Sequence, residues 1–172
     1  MTLRAGALGC VVALGVLLTT AGCTPQHTVD PNGRCLTWQM AVSAEVHPSS
    51  TVGKPAWDVT FTDTDTSPCV FGGVPSVRFL GSDAKTSAGI VSGQPSEERA
   101  VPLGRGDTAY ATIALDPTAS ASCTPIVVHW LRITAPHVAG GTFLVKAPAR
   151  FVGCASATAV ASVGQVTAKR GK

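Results

Sequence analysis

Apolar and polar residues alternate along this chain in short runs. Trp57-Asp58-Val59-Thr60-Phe61-Thr62 places Trp57, Val59 and Phe61 on one face, the period-two pattern of a half-buried strand. Leu36, Trp38, Met40 and Val42 align in the same way. A strand is therefore expected just after Cys35, with both Trp38 and Trp57 in the core. Val77-Arg78-Phe79-Leu80 reads as a shorter strand, and Ala109 to Leu115 as another that aligns Ala109, Ala111, Ile113 and Leu115. Ile126 to Thr134 is longer and more continuously apolar, as suits a strand near the middle of a sandwich. It puts Ile126, Val128 and Trp130 on one face and Val127, Leu131 and Ile133 on the other. The pattern leaves open which face is covered, and an exposed one would form a binding patch. Phe143 to Ala147 and Ala157 to Val166 complete the set. Gly81 to Arg99 is polar and weakly patterned, and reads as a long loop with room for one irregular strand.

Turn signals separate these runs: Ser67-Pro68, Gly72-Gly73, Gly104-Arg105-Gly106, Asp116-Pro117 and Gly140-Gly141. About seven short strands with such punctuation predict an all-β, antiparallel β-sandwich of immunoglobulin-like architecture. Composition agrees, since 18 Gly and 12 Pro accompany only 13% charged residues, a mix unsuited to long exposed helices. The 172 residues suffice for one domain with a real core and are too few for two ordinary ones. A formal net charge of +3, few aromatics and no basic stripe in the sequence give no support for a nucleic-acid partner.

Residues 1–22 read as a signal peptide. Arg4 supplies the positive start, and Ala7 to Leu18 form an apolar run that includes Cys10. That run falls short of the roughly 20 apolar residues needed to span a bilayer. Thr20-Ala21-Gly22-Cys23 then resembles the bacterial lipobox, with Thr20 where Leu is usual. The resemblance implies that Cys23 receives a diacylglyceryl group and becomes the mature N-terminus, anchored on the outer face of the cytoplasmic membrane. Residues 23–34 are polar, contain Pro25 and Pro31, and read as a flexible tether after the lipidated cysteine. Residues 35–168 are the sandwich domain, and 169–172 a basic tail.

Beyond Cys23 lie Cys35, Cys69, Cys123 and Cys154, an even set that implies disulfides in an exported chain. Four cysteines allow three connectivities. Each sequential pair brackets two strand-like runs, which would bring its members to one end of an antiparallel pair. Cys35–Cys69 and Cys123–Cys154 are therefore expected. No Cys-x-x-Cys spacing supports a zinc site.

The segment Thr62-Asp63-Thr64-Asp65-Thr66-Ser67-Pro68-Cys69-Val70-Phe71-Gly72-Gly73-Val74-Pro75-Ser76-Val77 resembles the signature of the actinobacterial family called domain of unknown function 4232. Val101-Pro102-Leu103-Gly104-Arg105-Gly106-Asp107-Thr108-Ala109 resembles its next block, and Cys123-Thr124-Pro125, Ala135-Pro136 and Cys154 follow in order. Val74 stands where the family commonly has Tyr. The resemblance spans roughly Cys35 to Val166. It implies an exported β-sandwich, often a lipoprotein, with no established activity.

Candidate chemistry is sparse. His27 lies in the tether, His47 and His137 sit beside prolines in turns, and His129 falls inside the long strand, where it reads as a hydrogen-bonded structural histidine. Asp58, Asp63, Asp65 and Asp83 are the best acidic set. Asp63-Thr64-Asp65 would suit calcium, but Asx-type bonds shaping the turn before Cys69 account for it better. No Gly-x-Ser-x-Gly or comparable nucleophile motif occurs. The chain therefore reads as a non-enzymatic, lipid-anchored envelope module without catalytic, metal or cofactor residues. Its partners would be membrane lipid, through the Cys23 acyl anchor, and an envelope protein, glycan or lipid that the sequence does not specify. The alternative is a carrier or chaperone of an apolar ligand, held in a cavity that small residues would leave between the sheets.

Overall fold

A computed structural model describes residues 30–51, 53, 55–93, 99–118, 123–136, 138, 141–155 and 159–168. Cys10, Cys23, His27, His137 and the basic tail at 169–172 lie outside these residues. The described chain is a multi-sheet all-β fold. It comprises β1 (Met40–Val46), β2 (Ala56–Asp63), β3 (Cys69–Gly72), β4 (Ser76–Leu80), β5 (Ser87–Gly93), β6 (Ala100–Leu103) and β7 (Thr108–Leu115). It continues with β8 (Pro125–Val127), β9 (Trp130–Thr134), β10 (Phe143–Lys146), β11 (Val152–Cys154), β12 (Ala159–Val163) and β13 (Thr167–Ala168).

The main sheet runs β1-β2-β7-β12-β5-β4-β9-β10, with β13 also on β7, while β3-β6 and β8-β11 form two small ribbons. β10 packs back along β1, so the sheet folds over itself into two layers. Rings cross between the layers: Trp57 on β2 lies 5.7 Å from Phe79 on β4, and Phe61 on β2 lies 6.4 Å from Phe143 on β10. The inward set predicted by alternation is the observed core. Trp57, Val59, Phe61, Ala109, Ala111 and Ile113 from one layer meet Val77, Phe79, Leu131 and Ile133 from the other, all essentially buried.

Both predicted disulfides are present. Cys35–Cys69 closes the end of the β1-β2 pair, where Met40 faces Asp63. Cys123–Cys154 lies beyond the end of the β9-β10 pair, where Trp130 faces Lys146. With separations of 34 and 31 residues, each contributes about 3–4 kcal/mol in the chain-entropy account.

Some details depart from expectation, each for a local reason. Residues Thr37–Gln39 form a 3₁₀ turn ahead of β1, because the Gln39 side chain folds back and its Oε1 accepts from Leu36 N at 2.7 Å. The turn shifts the phase of alternation. Gln39 is buried and Trp38, expected in the core, is 39% exposed. The long strand from Ile126 to Thr134 is broken at Val128-His129, where the chain changes neighbours: Val128 N bonds to Phe151 O, and His129 N to Leu80 O.

The stretch read as a loop with room for one irregular strand contains β5, which sits inside the main sheet and pairs with β12 in parallel, a departure from the antiparallel expectation. Gly89 hides β5 from the hydrophobic pattern. It is buried with φ +131°, and a Cβ there would lie 2.4 Å from Val160 Cγ2. Gly153 is as tight, since its Cβ would strike the Ala88 carbonyl. These glycines let the Val160 side chain and the Ala88 backbone approach closely.

Candidate functional site

Alternation that turns Trp57, Val59 and Phe61 inward turns Asp58, Thr60 and Thr62 outward, and the register sets what lies beside them. Asp58 faces Glu45 on β1 and Thr112 on β7; Thr60 faces Ser43 and Tyr110; Tyr110 faces Thr167 on β13. Glu45, Asp58, Thr60, Tyr110 and Thr167, with His47 and Pro48 just past β1, line an open groove of about 560 Å³ on the outer face of the first layer.

A hydrogen-bonded chain runs through the groove wall. His47 Nδ1 lies 2.8 Å from Asp58 Oδ2, and Thr112 Oγ1 donates to Asp58 Oδ1 at 2.7 Å. The bend that brings His47 back is fixed by His47 N donating to Ala56 O and by Ser50 N donating to His47 O. Both carboxylate oxygens of Asp58 are thus engaged, and the ring of His47 is oriented while its side chain stays 31% exposed. Chemically, the wall offers a positioned imidazole, a carboxylate at Glu45, the Tyr110 phenol and threonine hydroxyls. That set recognises polar groups by hydrogen bonding.

The sequence puts His47 in a turn and Asp58 in the best acidic set, and does not join the two. Their separation of 11 residues carries no motif; only the β1-β2 register brings them together. Asp63 and Asp65 are used differently: Asp65 N donates to Asp63 Oδ1 at 2.9 Å and Ser67 N to Asp65 Oδ1 at 2.8 Å. These successive Asx turns shape the approach to Cys69, as the structural account of that segment anticipated. Asp83 is remote and caps its own turn, accepting from Thr86 Oγ1 at 2.6 Å and from the Lys85 and Thr86 amides. Those bonds, the Thr86 hydroxyl first, lower its pKa to about 2. Asp30 is likewise held below the ordinary carboxylate value, by the Asn32 amide and then by Arg34.

His129 departs from its expected role. It sits at the β8-β9 break and is exposed, rather than facing the sheet. It joins Trp130, Lys146 and Arg150 around a second open groove of about 750 Å³ on the opposite layer, where Lys146 Nζ lies 5.8 Å from the Trp130 ring centre. A smaller groove of about 260 Å³ lies beside Arg34, Val70 and Arg99. No group of three or more His, Cys, Asp or Glu side chains is placed to hold a metal ion among the described residues. No helix among them is long and apolar enough to cross a membrane.

Residues 35–169 match a family described as a domain of unknown function, DUF4232. No curated protein and no solved structure matches the chain.

Proposed function

The chain belongs to the DUF4232 family, and from that premise we propose that it is a lipid-anchored recognition module of the bacterial cell envelope. Cys23 carries the acyl anchor on the outer face of the cytoplasmic membrane, and the folded domain binds an envelope protein or glycan. The groove wall of His47 and Asp58, with Asp58 held by Thr112, is the observation that supports the reading. It is open to solvent, its donors and acceptors are held in place by one another, and two stapled layers support it. Preorganisation of this kind lowers the ordering cost of binding. The role needs no catalytic step, and the exposed groove suits a partner met at the surface better than a ligand carried inside.

Two measurements test it. Intact-mass spectra of protein purified from its own envelope should show acyl chains on a chain beginning at Cys23; an unlipidated chain refutes the anchor. NMR titration with solubilised cell-wall and membrane fractions should give saturable shifts at His47 and Tyr110 that disappear in Tyr110→Ala. Saturable shifts confined to other surfaces would move recognition away from this groove.

A further inference from the structure

The outer face of the second layer differs in kind from the groove above. On β4 and β9, Arg78 and Arg132 are directly opposed across the strands, and both are exposed. Beside them on β10, Leu144 faces Arg132 and Lys146 faces Trp130. Leu144 is 51% exposed, the highest exposure among the large apolar side chains of the described core and surface. Arg150 lines the groove at the edge of this face, and Lys85 stands exposed in the turn whose Ala84 carbonyl accepts from Arg132 at 3.3 Å. The acid nearest in sequence, Asp83, has its oxygens occupied within its own turn. Both ion pairs found among the described residues, Arg34–Asp30 and His47–Asp58, lie elsewhere.

Opposed like charges destabilise a strand pair, and an exposed leucine gains nothing from water. Cations ringing an aromatic and an aliphatic side chain match a surface that is anionic outside and apolar just beneath. We propose that the outer face of β4-β9-β10 docks on an anionic phospholipid bilayer. Lys146 and the arginines meet headgroup phosphates, while Trp130 and Leu144 enter the interfacial region.

The path of the chain supports that occupant, and this argument rests on the proposed anchor at Cys23. The described residues begin at Asp30, with six residues between it and Cys23, and the seven Cα–Cα steps that join them reach at most about 25 Å. Arg34 bridges to Val70, and the neighbouring Phe71 ring lies 4.7 Å from Phe61, itself 6.4 Å from Phe143 at the start of β10. That end of the core is shared by both layers, so the tether leaves the Leu144 end of this face free to reach the membrane. In that docked pose the polar groove, on the other layer, faces away from the bilayer.

The test uses the full chain carrying Cys23→Ser, so that failure of lipidation and failure of docking are read separately. Co-sedimentation is measured with phosphatidylcholine vesicles and with mixed phosphatidylcholine–phosphatidylglycerol vesicles. Binding should require the anionic lipid, weaken with salt, and fall about fivefold for each cation removed in Arg78→Gln, Arg132→Gln and their combination. Brominated acyl chains should quench wild-type fluorescence more than that of Trp130→Phe. Both arginines are exposed, so an unchanged thermal melt shows that these variants remain folded. Equal binding to neutral vesicles, or no loss in the double variant, overturns the proposal. Binding to soluble polyphosphate without quenching by brominated lipid also overturns it and makes an anionic polymer the occupant.

Discussion

The outer face of β1-β2-β7 and that of β4-β9-β10 stand on the same core and obey the same alternation, yet they treat charge in opposite ways. On the first, Asp58 is enclosed by His47 and Thr112, and its side chain is only 18% exposed. On the second, Arg78 and Arg132 face each other in water with no acid paired to either among the described residues. A polar face can thus be part of the fold, its groups satisfied by neighbours, or can carry charge that the fold itself does not use. The first kind is expensive to disturb and the second is not, whatever each binds.

That distinction yields a graded set of expectations. The largest effect should come from the shared support. Phe79→Ala removes a fully buried ring touching Trp57 and Phe151, and should cost about 3–5 kcal/mol, with Tm falling by roughly ten degrees or more. Both faces should lose order together in that variant; NMR signals surviving on one face alone would show that the layers are independent. Next, Asp58→Ala leaves His47 and Thr112 without their acceptor and should cost about 1–3 kcal/mol in urea unfolding. Lys146→Ala, removing an exposed cation from the Trp130 ring, should cost about 0.5–1 kcal/mol and alter tryptophan emission. Arg132→Gln should stay within a few tenths of a kcal/mol of wild type, on the stabilising side. If Arg132→Gln proved as damaging as Asp58→Ala, the contrast between the faces would be broken.

The smallest effect concerns pH. Asp83 is held at about 2 against an ordinary 3.8, so the folded turn favours the carboxylate. Its contribution is complete above the ordinary value and is lost as pH falls through about 2. The Thr86 amide resonance should titrate with that midpoint and shift in Asp83→Asn. A midpoint near the ordinary value would show that the turn does not form.

How much of this was legible depended on whether a feature is local. Trp57, Val59 and Phe61 announce their inward face by period alone, and the cysteines announce both staples because each pair brackets two strand runs. β5 was legible only as room for one irregular strand because Ser87, Ala88 and Gly89 carry no apolar period, and the smallness of Gly89 is imposed by Val160 on a neighbouring strand. Trp38 was misread because one glutamine side chain, folding back to its own turn, shifted the phase. The sites are less legible still. His47 with Asp58, and Arg78 with Arg132, meet only through strand register, and Arg78 lies 54 residues from Arg132 along the chain. A sequence without a basic stripe can therefore fold into a basic face.

The central claim is that the two faces look in different directions: the basic one at the bilayer, the polar groove away from it. It is tested most directly by NMR of the lipidated protein in phosphatidylglycerol-containing vesicles doped with a headgroup spin label. The account predicts broadening of the Trp130 indole and Leu144 methyl signals, with His47 and Tyr110 left sharp. Broadening of His47 and Tyr110 instead, or of all four alike, would contradict it.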